Sequence, residues 1–411
     1  MPLDTLKRIW IVCYTFPPSP GIGGRRWIKH AKYLARQGHD ITVVAAKASD
    51  QSSSSPWDDD LKYIKRVIYL PRCYPKQMTV APHSLLDRIL YRAYETIFSI
   101  LKDGSIYDRA LFWRRALYKV LIPKLESHEV DVICATGAPF RLLSYIADLK
   151  KKYTDFCFIA DFRDPWITSH TYGMEKLSEL RKRYESNLEE NVVRCADKII
   201  APVEPMIDQL KNRYPNCSNK MFHLPHGYDP EEIPIKSRRR SASGCRWIFY
   251  GTLYDGLDIQ FMNLAELLAM AEGDLTIDIY SSDEQYKNMF TDKNVDRYVR
   301  YFKPISAYEL FDQFENYDAV LMIYPDRFSN HLSTKFFETF YAQIPIVLIS
   351  KAGQASEFIN RHRLGTHFTT EQICTNLFQY LKGKKSSECE GTIDLKPYAF
   401  ENIVSRLEQL F

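Results

Sequence analysis

The chain has 411 residues, 45% of them hydrophobic, which suits two well-packed domains and is too much for one ordinary core. Charged residues make up 26% and the net charge is +4, a balance that argues against a nucleic-acid protein while leaving room for a local basic face. Nine scattered cysteines form no CxxC pair and no zinc spacing, so a reducing compartment fits better than a disulfide framework.

The first residues hold one short apolar run that ends in a Pro pair, with no small-residue cleavage site, so no secretory signal is expected. No apolar run approaches the roughly 18 residues that span a bilayer. The chain is therefore expected to be soluble or peripheral, and cytoplasmic. Residues 9–14 read as a buried strand. Trp27, Ala31 and Leu34 share a helical face, Gly38 stops that helix, and 41–46 is the next strand. Strands follow at 64–70, 131–136, 156–161, 198–203 and 221–224. Such strand–helix alternation implies a parallel sheet with right-handed crossovers.

Two loops of this half carry chemistry. The turn between the first strand and helix reads Pro17-Pro18-Ser19-Pro20-Gly21-Ile22-Gly23-Gly24-Arg25-Arg26. Backbone N–H groups at a helix start attract anions, glycines admit a phosphate, and Arg25 and Arg26 add positive charge. It is not a GxGxxG, so no nicotinamide cofactor is indicated. Asp161-Phe162-Arg163-Asp164-Pro165-Trp166 follows a buried strand, where open α/β sheets bind ligands. Between them, residues 85–125 interrupt the alternation with two apolar stripes. One stripe is Leu86, Leu90, Ile97 and Leu101; the other is Ala110, Trp113, Leu117 and Val120. Basic residues outnumber acids there. The segment is either a helical insertion packed on its own domain or a pair that contacts an anionic membrane. Asp58-Asp59-Asp60 lies in a Ser-rich polar loop and is expected to be solvated rather than metal-binding.

Pro- and Gly-rich residues 225–244, with a basic run at 236–240, read as an interdomain linker. The alternation restarts with strands expected at 246–250, 275–281, 299–304, 319–324, 344–349 and 365–368, and helices at 259–271 and 334–342. This is a second doubly wound domain. The expected division is 1–225, linker 226–244, 245–397, and a closing helix at 398–411 that returns to the first domain. After its first strand comes Tyr250-Gly251-Thr252-Leu253-Tyr254-Asp255-Gly256. Later comes Asn330-His331-Leu332-Ser333-Thr334-Lys335-Phe336-Phe337-Glu338, where Ser333 and Thr334 cap a helix. Lys335 in its first turn opposes the helix dipole, which points to an anionic partner.

These motifs resemble those of the family-4 glycosyltransferases. Phe16-Pro17-Pro18, Gly23-Gly24 and the run from Leu34 to Val44 resemble the family's PPxxGG turn, helix and LAxxGHxVxVV segment. The resemblance implies the GT-B fold, with two Rossmann-like doubly wound domains facing a cleft. It implies that Gly23, Gly24, Arg25 and Arg26 lie against the donor diphosphate, and that Asp164 or Asp161, with Arg163, serves the transferred sugar. Pro225-His226-Gly227-Tyr228-Asp229 is similar to the family's NGVD junction, with His226 in place of Asn. Gly251 and Thr252 fall on the family's GR…KG loop, where Thr252 and Asp255-Gly256 stand in place of the usual cations. A clamp must then come from Arg25, Arg26, Arg163 or Lys335. Glu338 matches the second Glu of the Glu–seven residues–Glu pattern, which binds the nucleotide ribose, while Asn330 occupies the first. His331, Leu332, Ser333, Thr334 and Lys335 would complete the donor site, and Asp326 and Arg327 stand near the donor sugar.

The resemblance implies transfer from a nucleotide-sugar, with a UDP-sugar favoured, to a glycan or lipid-linked acceptor in surface polysaccharide synthesis. It further implies retention of configuration and no metal or other cofactor. A noncatalytic nucleotide-sugar scaffold, or another Rossmann-type nucleotide enzyme, is the alternative. Nucleic acid is not an expected partner.

Overall fold

The computed structural model describes residues 6–19, 22–48, 55–80, 82, 84–169, 173–233, 244–329, 332–383 and 394–411. The chain divides into two units. One comprises Met1–Pro225 with Ile403–Phe411, and the other His226–Asn402.

In the first unit, seven strands form one sheet: β1 (Arg8–Val12), β2 (Asp40–Ala46), β3 (Arg66–Leu70), β4 (Val132–Gly137), β5 (Cys157–Phe162), β6 (Lys198–Ala201) and β7 (Met221–His223). Their order is β3-β2-β1-β4-β5-β6-β7, and every pairing is parallel. Helices α1 (Arg25–Arg36), α2 (Leu85–Leu101), α3 (Arg114–Glu126), α4 (Arg141–Lys152), α5 (Glu179–Cys195) and α6 (Glu204–Arg213) accompany it. Central strands read as near-continuous apolar runs because helices cover both faces of a parallel sheet. Ile9, Ile11 and Val12 are fully buried. The order reverses between β1 and β4, and the loops that leave their C-terminal ends flank the point where such sheets bind ligands.

Helix α1 shows how a polar sequence is buried. Trp27, Ile28, Ala31 and Leu34 are fully buried. On the polar side Lys29 and Lys32 are buried as well, and both ammonium groups pair with Asp60. The expectation of a solvated acidic loop therefore fails at Asp60, which is 7% exposed. Two lysines forced inside need a counter-charge, and the adjacent turn delivers one.

The two stripes of the insertion part company. Ala110, Trp113 and Leu117 sit in the main core with Leu121 and Leu125. In α2 only Phe98 is buried, and Leu86, Ile97 and Leu101 of the expected stripe face solvent.

In the second unit β8 (Cys245–Tyr250), β9 (Leu275–Tyr280), β10 (Val299–Phe302), β11 (Ala319–Ile323), β12 (Ile346–Ile349) and β13 (Gly365–Phe368) form a parallel sheet of order β10-β9-β8-β11-β12-β13. Its helices are α7 (Asp258–Ala271), α8 (Lys287–Asp292), α9 (Ala307–Asp312), α10 (Thr334–Tyr341), α11 (Gln354–His362), α12 (Phe378–Gly383) and α13 (Phe400–Glu408), the last of which runs into the returning segment. The order reverses between β8 and β11. Entry and exit of this unit are clasped: Tyr228 N–H donates to Tyr398 O at 3.1 Å, and Phe400 N–H donates to Tyr228 O at 3.0 Å. The basic run 236–240 lies outside the described residues. The returning segment buries Ile403, Val404 and Leu407 completely. His39 of the first unit meets Glu408 at 2.8 Å. Among the described residues no helix is long and apolar enough to cross a membrane.

Candidate functional site

In the first unit the loops after β1, β4 and β5 meet at Arg163. Its guanidinium donates to Gly23 O at 2.8 Å, to Ala138 O at 3.2 Å and to Asp164 Oδ2 at 2.9–3.0 Å. Each loop contributes a carbonyl or carboxylate, so one side chain fixes their mutual positions. The glycines serve this packing. A Cβ on Gly23 would lie 2.9 Å from Arg163 Nη1, and one on Gly24 would lie 3.2 Å from the Phe16 backbone. What approaches Gly23 closely is therefore the chain's own guanidinium.

Asp161 and Asp164 occupy different environments. Asp161 is fully buried at the end of β5. Its Oδ2 accepts from Trp27 Nε1 at 2.7 Å and from the Thr136 hydroxyl at 2.9 Å, and Arg26 Nε stands 3.4 Å away. Asp164 keeps 28% of its side-chain surface exposed. The sequence left the choice between them open; the geometry leaves Asp164 as the carboxylate that a ligand in solution can reach.

Arg26 is spent on structure. Its two terminal nitrogens donate to Pro225 O at 3.0 Å and Leu224 O at 2.9 Å, and it is 3% exposed. Burial lowers its pKa, and the Asp161 charge offsets part of that. The expected placement of Arg26 against a diphosphate is not what the structure shows, because the helix start needs this guanidinium to hold residues 224–225. Arg25 is likewise buried. His226 opens the second unit and is half-buried.

The second unit gathers cations at its own switch point. Lys335, in the first turn of α10, donates from Nζ to Tyr250 O at the end of β8. The same Nζ lies 5.0 Å from the centre of the Tyr250 ring. Gly251 makes room for it: φ is +101°, and a Cβ there would sit 2.7 Å from Nζ. Burial depresses the Lys335 pKa to about 8, with the Glu338 charge acting against the shift. Arg327, beyond the end of β11, donates to Asp255 O at 3.0 Å and lies over Gly256. Thr252 between them is exposed. Two cations from the β11–α10 segment thus reach the loop that lacks its own.

Beneath them Glu338 is 4% exposed, one turn along α10 from Lys335. Ser333 precedes α10 and shares a 2.7 Å hydrogen bond with the Tyr324 hydroxyl rather than capping the helix. Thr334 opens the helix and Leu332 is half-buried before it. Asn330 and His331 lie outside the described residues. One cation in the first turn of α10 and a second over residues 255–256 of the loop after β8, with Glu338 buried one turn behind Lys335, form an arrangement suited to a phosphorylated ligand bearing hydroxyl groups. Sequence reasoning gave Lys335 and Glu338 their places but did not join Arg327 to Asp255–Gly256, a contact across 72 residues that no local pattern encodes.

The model of Glycosyltransferase Family 4 matches residues 23–232. No curated protein matches the chain. Among solved structures, the chain is similar to sucrose-phosphate synthase from Thermosynechococcus elongatus, at 11% identity and a TM-score of 0.59, covering 98% of each chain. It is also similar to HepE from Anabaena in complex with UDP-glucose, at 14% identity and a TM-score of 0.57, covering 98% of this chain and 95% of that one. A third is WaaG, a glycosyltransferase involved in lipopolysaccharide biosynthesis, at 13% identity and a TM-score of 0.56, again covering 98% and 95%. These likenesses show a shared fold.

Proposed function

This chain belongs to glycosyltransferase family 4, and on that premise we propose that it transfers a sugar from a nucleotide-sugar, a UDP-sugar foremost, to a glycan or lipid-linked acceptor in surface polysaccharide synthesis. The observation that carries the donor half is the convergence of Lys335 and Arg327 on the loop after β8, with Glu338 buried behind. The leaving diphosphate carries the charge that grows in the transition state. Fixed cations and N–H dipoles at that spot stabilise it without reorganising. Lys335 and Arg327 take the diphosphate, with Thr252 and the N–H groups at Ser333–Lys335 beside them. Glu338 accepts hydrogen bonds from the ribose hydroxyls. A UDP-sugar is favoured because HepE, of similar fold, was solved with UDP-glucose. The role of WaaG in lipopolysaccharide biosynthesis supports a surface glycan as the product.

Asp164 serves the transferred sugar, and Arg163 holds it in place. Asp161 acts one layer beneath as a positioning residue. Cations do the work that a metal does in other transferases, so the reaction proceeds without metal or cofactor; retention of configuration is proposed on the family membership alone. The enzyme works at the inner face of the cytoplasmic membrane as a peripheral protein.

The test is release of nucleoside diphosphate from UDP-, GDP- and dTDP-sugars, with and without glycan acceptors and with chelator present. Acceptor-stimulated UDP release that survives chelation, with an α-to-α product by NMR from an α-linked donor, is the expected result. Donor binding without turnover on any acceptor would instead favour a nucleotide-sugar scaffold, the reading that the missing family cations and the Asn330 substitution keep in play.

A further inference from the structure

Helix α2 presents its aliphatic side to solvent. A capping box of Ser84 and Asp87 fixes its N-terminus. Phe98, its buried residue, packs against Tyr74, Tyr94 and Phe112. Glu95 accepts from the Tyr107 hydroxyl at 2.7 Å. Arg181 of α5 donates to Ser99 O at 2.5 Å and to Gly104 O at 2.6 Å. An aromatic and polar seam therefore anchors the helix along its length. On the other side Leu86 is 65% exposed, Ile89 57%, Ile97 46%, Ile100 77% and Leu101 68%. At the α-helical repeat these five fall within an arc of about 120°.

That is a continuous aliphatic face on an anchored helix, which soluble monomers rarely leave bare. Its border is basic. Arg92 and Arg88 are exposed on the Ile89 side of the arc, about 60° and about 100° beyond it at the α-helical repeat, and Arg92 retains 82% of its side-chain surface. Both acids of the helix are held locally, Asp87 at the cap and Glu95 by Tyr107 and, at 3.6 Å, by Arg92 Nη1. Residues 85–125 hold eight basic and four acidic side chains. Arg181, which anchors α2, stands between exposed Leu180 and the bases Lys182 and Arg183. A second copy on this face would bring a positive border toward its own like, whereas anionic headgroups meet it with opposite charge.

We infer that the outer face of α2 is a docking surface for an anionic lipid bilayer. Leu86, Ile89, Ile97, Ile100 and Leu101 enter the acyl boundary while Arg88 and Arg92 hold headgroup phosphates. The inference deepens the membrane placement proposed above and is separate from the donor chemistry. Vesicle binding requires no nucleotide-sugar, so either can fail alone.

The experiment is flotation of the full chain with vesicles of phosphatidylcholine alone and of phosphatidylcholine with roughly one-third phosphatidylglycerol. The expected result is partition onto the anionic vesicles at least about tenfold tighter than onto the neutral ones, lost at high salt. Ile97→Ser/Ile100→Ser/Leu101→Ser removes flotation, and Arg88→Glu/Arg92→Glu removes the preference for anionic lipid. These positions are exposed, so melting temperature and elution volume should stay those of the parent. Absence of flotation by the parent chain overturns the inference, as does flotation indifferent to the aliphatic substitutions. A self-association in sedimentation that the same substitutions dissolve would assign the face to a second copy and also overturn it.

Discussion

Removing the Asp161 carboxylate would leave Trp27 Nε1–H, the Thr136 hydroxyl and the Arg26 guanidinium buried around a gap. An unpaired buried charge costs about 3–5 kcal/mol, so Asp161→Ala should lower the unfolding free energy by that order in a denaturant titration. Asp164→Ala should leave stability alone, keep donor affinity, and lower turnover by about 100-fold; unchanged turnover would remove Asp164 from the chemistry. Glu338→Ala should weaken donor binding roughly ten- to a hundredfold, the loss of one or two charge-assisted hydrogen bonds, read by calorimetry. Lys335 gives a pH signature. Its proton is lost near pH 8 rather than 10.5, so donor affinity should fall as pH rises past 8. The profile should flatten in Lys335→Met. Stability moves the other way. The folded state binds this proton more weakly than the unfolded chain, so Lys335 costs stability below pH 8, and the cost fades as pH climbs toward 10.5.

At the scale of elements, the strands were legible because buried parallel strands must be apolar on both faces: β11 falls within its expected run, and β1 and β8 each begin one residue before theirs. Sidedness was not legible in α2. Periodicity marks a stripe, but the stripe looks the same whether it meets a core or a solvent boundary, and here Phe98 rather than the leucines decided. Asp60 was misread for a related reason: its partners Lys29 and Lys32 belong to a helix whose polar face is itself buried. Lys335 was legible as a cation for this loop, but the contact of Arg327 with Asp255–Gly256 escaped because βα loops touch across a switch point, far apart in sequence. Gly251 tests that contact. Gly251→Ala forces a side chain into a left-handed backbone and onto Lys335. It should cost about 1–2 kcal/mol of stability and reduce donor affinity about as much as Lys335→Met, whereas a purely conformational role would leave affinity intact.

For the whole molecule, the division into two units was legible in the restart of strand–helix alternation after residue 244, although the return to the first unit falls at Ile403 rather than at residue 398. Leu407, fully buried, belongs to the first unit by contact and to the end of the chain by sequence. Leu407→Ala should therefore destabilise the first unit by about 2–5 kcal/mol. Proteolysis should show its fragments appearing earlier while the second unit keeps its resistance. A second unit that loosened equally would contradict the assignment of this segment.

The clasp of Tyr228 with residues 398–400 closes the inserted unit on itself, and it sets an order of events during translation. The second unit, 226–402, can complete its fold as soon as residue 402 clears the ribosome. The first unit is synthesised earlier yet must wait for nine more residues, 403–411, before its last apolar side chains are in place. At about 5–20 residues per second, the intervening domain imposes a delay of roughly 10–35 s. For that interval the surface that will receive Ile403, Val404 and Leu407 is open on a nascent chain, and any chaperone that attends this protein has its clearest target there.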